Sequence, residues 1–172
     1  MKFLATLLIC SLFFDNAFSQ AQYEILKDEQ HPDEHILRGI INKYAVQNDT
    51  SYKWYNSSAG SYKPDTATVS AFERNKNKVQ FVVFGGTWCE DTQFILPKFF
   101  KLQEISGVTD AAITFFGVNR QKKSLASIAD AFKIINVPTI IIMKDGKEAG
   151  RVVEYGKTGK WDKELAEILN TL

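Results

Sequence analysis

The chain has 172 residues, with 21 basic and 20 acidic side chains and a net charge of +1. That length suits one domain with its own core rather than several. The near balance of charge, with no stripe of Lys or Arg interleaved with aromatics, excludes an electrostatic nucleic-acid binder, and no nucleic-acid partner is expected.

Residues 1–19 read as an export signal. Lys2 supplies the positive start, and the apolar run that ends at Phe14 has the length of a signal core and is too short to span a bilayer. Ala17 and Ser19 put small residues where a signal peptidase reads, so the mature chain is expected to begin at Gln20. Export places the protein in the periplasm first, otherwise in the secreted fraction. About 150 residues remain as one domain, with no membrane span in the mature protein. Cys10 lies inside the signal, which leaves Cys89 as the single thiol.

Residues 20–65 form an N-terminal helical and aromatic extension. The stretch to Gln30 is polar and expected to be loosely ordered. His31, Pro32, Asp33 and Glu34 have the character of a helix start, and Ile36, Leu37, Ile40, Ile41 and Tyr44 follow at helical spacing, with an end near Val46. His31 and His35 lie four residues apart but lack a third metal ligand, so surface or capping roles are expected. Tyr52, Trp54, Tyr55 and Tyr62 sit in a loop-like stretch. They either line a groove or wrap an apolar edge of the sheet, and the wrap is favoured because an exposed aromatic patch is a liability.

Residues 66–172 carry the main domain. Asp65 or Thr66 caps a helix that buries Val69 and Phe72. Residues 79–84 are a β-prone run suited to a strand covered on both faces. A helix begins near Cys89 and is interrupted by Pro97. Next come a strand over 112–118, a helix capped by Ser124 and running through Phe132, and a strand over 138–143. Asp145 and Gly146 then turn the chain back through Arg151 to Glu154, and a last helix covers 161–169. This order predicts an α/β three-layer sandwich with a mixed central sheet.

Four features carry a family resemblance. The apolar strand enters Thr87-Trp88-Cys89. Pro97 stands eight residues after the cysteine. Val137-Pro138-Thr139 follows, and Lys144-Asp145-Gly146 precedes Gly150-Arg151-Val152. From about residue 79 to 169 the chain resembles the thioredoxin-like family, and most of all its exported members of the bacterial envelope. The resemblance implies a thioredoxin-like α/β/α fold, Cys89 as the catalytic nucleophile, Trp88 beside it, and Pro138 as a cis proline. That proline would free the Val137 backbone to pair with a substrate strand.

The chain departs from the family where a second cysteine would act. The family has Cys-x-x-Cys; here Thr92 closes the motif. Val83 stands where thioredoxin has a buried carboxylate serving the resolving cysteine. A lone Cys89 still attacks a disulfide through a mixed disulfide, and the amino end of a helix favours its thiolate. Release then needs an outside thiol. Thr92 is expected to donate its hydroxyl to the sulfur, and Trp88 to shield it. The expected activity is monothiol thiol–disulfide exchange on protein or low-molecular-weight thiols and disulfides. It needs no metal or organic cofactor, and glutathione or another external thiol serves as co-substrate. The competing expectation is a redox-inactive binding or adaptor module that uses the same surface without turnover.

Overall fold

The computed structural model describes residues 22–172, so the export signal and Cys10 lie outside the described residues. The chain runs β1 (Tyr23–Lys27), β2 (His35–Ile41), α1 (Lys43–Gln47), α2 (Trp54–Ser61), α3 (Thr66–Asn75), β3 (Gln80–Gly85), α4 (Glu90–Ile105), β4 (Ile113–Gly117), α5 (Ile128–Ala131), β5 (Thr139–Lys144), β6 (Lys147–Val153) and α6 (Trp161–Asn170). Successive side chains of a strand point to opposite faces, and the central strands are apolar on both. Phe81 and Val83 of β3 join one buried cluster with Ile140 and Ile142 of β5. Phe84 and Ile141 join a second cluster with Phe116 of β4. Helices must therefore cover both faces.

The larger cluster takes Phe72 of α3, Ile95, Leu96 and Phe99 of α4, and Leu165 and Leu169 of α6. Phe81 sits between Phe72, stacked at 5.5 Å, and Phe99, edge-on at 5.6 Å. Fully burying each such ring stabilises the fold by about 1.5–3 kcal/mol. The smaller cluster is closed by Ala129 of α5, with Ile128 and Phe132 at its margin. The sheet order is β1-β2-β4-β3-β5-β6. Only β3 and β4 pair in parallel, with α4 as their crossover, and the other pairings are antiparallel. The expected α/β class with a mixed sheet and flanking helices is the observed one.

The extension differs from its reading. The segment expected to be helical from about residue 33 instead forms β2, which pairs with β4 through Gly39↔Gly117, Ile40↔Phe116 and Ile41↔Phe115. The loosely ordered stretch before it contains β1, which pairs with β2. Gly39 explains the choice. Its φ is +129°, and a Cβ there would lie 2.5 Å from the Gln22 carbonyl oxygen, so only glycine permits the close strand crossing. Within the stretch read as helical up to Val46, helix forms only at α1, which Asn42 caps by accepting from Ala45 N at 3.0 Å.

The aromatic stretch is not a loop, since α2 occupies it. Tyr52 and Tyr55 are buried in the larger cluster, with Trp54 packed against it, and Tyr62 packs at a tilt against Trp161, ring centres 5.7 Å apart. This is a wrap over the core rather than a groove lining. The helix expected from Ser124 shrinks to α5. The Ser124 hydroxyl donates to Gly117 O at 2.9 Å rather than capping, and Ala126 has φ of 45°, which breaks the turn.

Candidate active site

Cys89 is the N-cap residue of α4, in an extended conformation with φ −97° and ψ 121°. A loop of Gly86, Thr87 and Trp88 delivers it from the end of β3. Cys89 N donates to Gly86 O at 2.9 Å, and Gln93 N donates to Cys89 O at 2.9 Å, which closes the first helical turn. Gln93 Nε2 holds Thr87 O at 2.8 Å. The Thr87 hydroxyl donates to His35 O at 3.0 Å, so the site loop is pinned to the start of β2.

Cys89 is half-buried and unpaired. Its thiol donates to the Val137 carbonyl at 3.1 Å. The Val137–Pro138 peptide bond is cis, and Pro138 O accepts from Glu154 N at 2.7 Å. The fold thus brings Cys89 within hydrogen-bond reach of the Val137–Pro138 bond, 48 residues further along the chain. The Val137 side chain is buried.

Thr92 is 2% exposed and does not serve the sulfur in the way expected of it. Its hydroxyl accepts from Gly86 N at 3.3 Å, which steadies the loop, while the thiol bonds elsewhere. Val83 is fully buried among apolar neighbours, so no carboxylate faces this helix end from β3.

Trp88 and Cys89 both pack on the smaller apolar cluster. Trp88 Nε1 donates to Val118 O at 3.0 Å. The indole lies over Gly86, where an added Cβ would come within 2.5 Å of Nε1, so the ring occupies the space of a missing side chain. The Arg120 guanidinium lies over the same ring, 5.1 Å from its centre.

Arg120 opens the basic stretch Arg120-Gln121-Lys122-Lys123, in which Gln121 and Lys123 are exposed, but Arg120 itself grips Asp28, which is 1% exposed. Nε donates to Asp28 Oδ1 at 3.0 Å and Nη2 to Oδ2 at 2.8 Å. Gln30 N donates to the same Oδ1 at 3.0 Å. From there the 30–34 turn forms the far wall of a cleft of ≈ 450 Å³, in which Gln30, His31 and Glu34 face Trp88, Cys89, Glu90, Asp91, Gln93 and Arg120.

Burial alone would raise the Asp28 carboxyl. The hydrogen bonds from Arg120 and Gln30, with the Arg120 charge, outweigh it and hold the group below the usual carboxylate range. Hydrogen bonding from Lys43 lowers Asp110 as well. A carboxyl lowered on folding stabilises the fold above its unfolded value and loses that contribution as pH falls through its folded one. Stability should therefore be flat through neutral pH and fall below about pH 4. Denaturant midpoints at pH 7 and pH 3 check this, and Asp28→Asn should flatten the difference. Equal midpoints for the native chain would contradict it.

Phe94 of α4 and Tyr155 are both exposed, with ring centres 5.7 Å apart, and Ile135 is 77% exposed two residues before Val137. His35 Nε2 meets Asp49 Oδ2 at 2.9 Å. Among the described residues no three His, Cys, Asp or Glu side chains converge as a metal site.

A thiol at the first turn of a helix, bonded to the carbonyl before an X-Pro bond at one end of a mixed sheet covered on both sides, is the geometry of a thioredoxin fold. Residues 65–169, more than half of the chain, match the Thioredoxin family model. The chain belongs to the thioredoxin family, whose chemistry is thiol–disulfide redox exchange. It is 30% identical over 104 residues to a thioredoxin of Staphylococcus haemolyticus, a match covering 60% of this chain and 91% of that one. It is 34% identical over 83 residues to Thioredoxin H2-2 of Oryza sativa subsp. japonica, covering 48% of this chain and 58% of the rice protein's length. A crystal structure of an HIV epitope scaffold superposes with a TM-score of 0.55 at 16% identity, over 76% of this chain and 93% of the other, which is a likeness of fold alone.

Proposed function

We propose that this protein performs monothiol thiol–disulfide exchange on protein or low-molecular-weight disulfides. One observation carries the reading. The half-buried Cys89 sulfur opens into a cleft, while the position three residues on holds a buried threonine and no second thiol. The Cys89 thiolate attacks a substrate disulfide; a Cys89–substrate disulfide forms and the other substrate sulfur leaves as a thiolate. An external thiolate, such as glutathione, then attacks the substrate sulfur of that bond. Cys89 leaves as a thiolate, and the substrate departs as a mixed disulfide with the external thiol. The exposed Phe94, Tyr155 and Ile135 suit a protein substrate. Export to the periplasm is part of the proposal and rests on residues 1–19.

The test follows a glutathionylated peptide with glutathione as the second thiol. The expected rate is above the uncatalysed exchange and rises with glutathione until release no longer limits. A rate equal to the protein-free control would favour a binding module without turnover.

A further inference from the structure

We infer that Asp28 and Arg120 are positioning residues of the exchange site, one buried carboxylate setting both walls of the Cys89 cleft. The inference rests on the exchange function proposed above. Asp28 accepts three hydrogen bonds: two from the Arg120 fork and one from Gln30 N. The Arg120 bonds fix a guanidinium over Trp88, the aromatic neighbour of the nucleophile. The Gln30 bond fixes the start of the turn that carries His31 and Glu34, the opposite wall. Arg120 has no freedom to serve as a mobile surface charge, because two of its nitrogens are committed to a carboxylate that is 1% exposed. The pair spans 92 residues of sequence and joins the residue just after β1 to the loop after β4.

Neither residue touches the sulfur through a hydrogen bond; the sulfur's bond goes to Val137 O. Their action is on the shape of the cleft. Loss of the pair should therefore weaken capture of a substrate that fills the cleft and leave attack on a small reagent unchanged. A planar fork is needed to bond both Asp28 oxygens while lying over an indole, so lysine at 120 should not substitute.

The experiment compares the native chain with Asp28→Asn, Arg120→Lys and the double variant. Three readings are taken: KM and kcat with the glutathionylated peptide, the alkylation rate of Cys89 by iodoacetamide, and the indole N–H resonance of Trp88, assigned by its loss in Trp88→Phe. The expected result is a KM raised about tenfold or more, consistent with the cost of small misplacements in a site. Alkylation stays within about twofold, the Trp88 resonance shifts or broadens, and the double variant is no worse than the singles. Arg120→Lys keeps a cation against Asp28, so it decides the matter if Asp28→Asn does not fold.

An unchanged Trp88 resonance in a folded variant overturns the inference whatever the kinetics, and so does an unchanged KM. If the native chain exchanges nothing, the proposed function has failed. The exchange-site role of the pair is then overturned with it, and a Trp88 resonance that still shifts shows only that the pair sets the wall of the cleft.

Discussion

Cys89→Ser is expected to lower exchange by about a hundredfold or more, because the thiolate is the attacking group and a serine hydroxyl forms no disulfide. The fold should survive the change. Serine is close in size, suits a helix N-cap as well as cysteine does, and can donate to Val137 O as the thiol does. Far-UV circular dichroism and the unfolding midpoint should therefore match the native chain while the assay falls to background. A Cys89→Ser protein that keeps the native rate would remove the sulfur from the mechanism.

Thr92→Cys is expected to create a dithiol enzyme that reduces insulin disulfides with dithiothreitol as the electron source, an activity the native chain should show only at background. Thr92 is buried one helical turn from Cys89. A thiol there would resolve the mixed disulfide within the molecule. Tethered groups reach effective concentrations of millimolar with flexible linkers and far higher when oriented, so resolution should outpace millimolar glutathione about tenfold or more. The cost to stability is small. The Thr92 hydroxyl accepts a single bond, from Gly86 N at 3.3 Å, and weakening it costs about 1 kcal/mol. Val83 limits the gain, since β3 supplies no carboxylate to move the proton of the new thiol. No insulin reduction by the folded variant would mean that the helix end no longer presents a redox geometry.

Much of the main domain is legible in the sequence because its signals are local. β3 and β5 are unbroken β-prone runs buried on both faces, and α4 starts where Cys89, Glu90 and Asp91 form a helix entry. Cys89, Val137 and Pro138 lie in short motifs that the fold then brings together. The extension is less legible. Ile36, Leu37, Ile40 and Ile41 satisfy a helical period and a strand alike. What decides is pairing with β4 across Gly39 and Gly117, a contact that no window around residue 39 contains. The Asp28–Arg120 pair is hidden for the same reason: 92 residues separate its members, and each is an ordinary charged residue in a polar stretch. Thr92 closes the Cys-x-x-Thr motif, but its partner is a backbone amide of the preceding loop, and motif spacing does not reveal that.

The most direct measurement is the intact mass of the protein after reaction with one equivalent of a glutathionylated peptide in the absence of free thiol. The prediction is a single adduct on Cys89 that persists, because Thr92 offers no sulfur to discharge it, and that disappears at a rate set by the glutathione then added. An adduct that discharges without added thiol, or one that never forms, would contradict exchange by a lone sulfur.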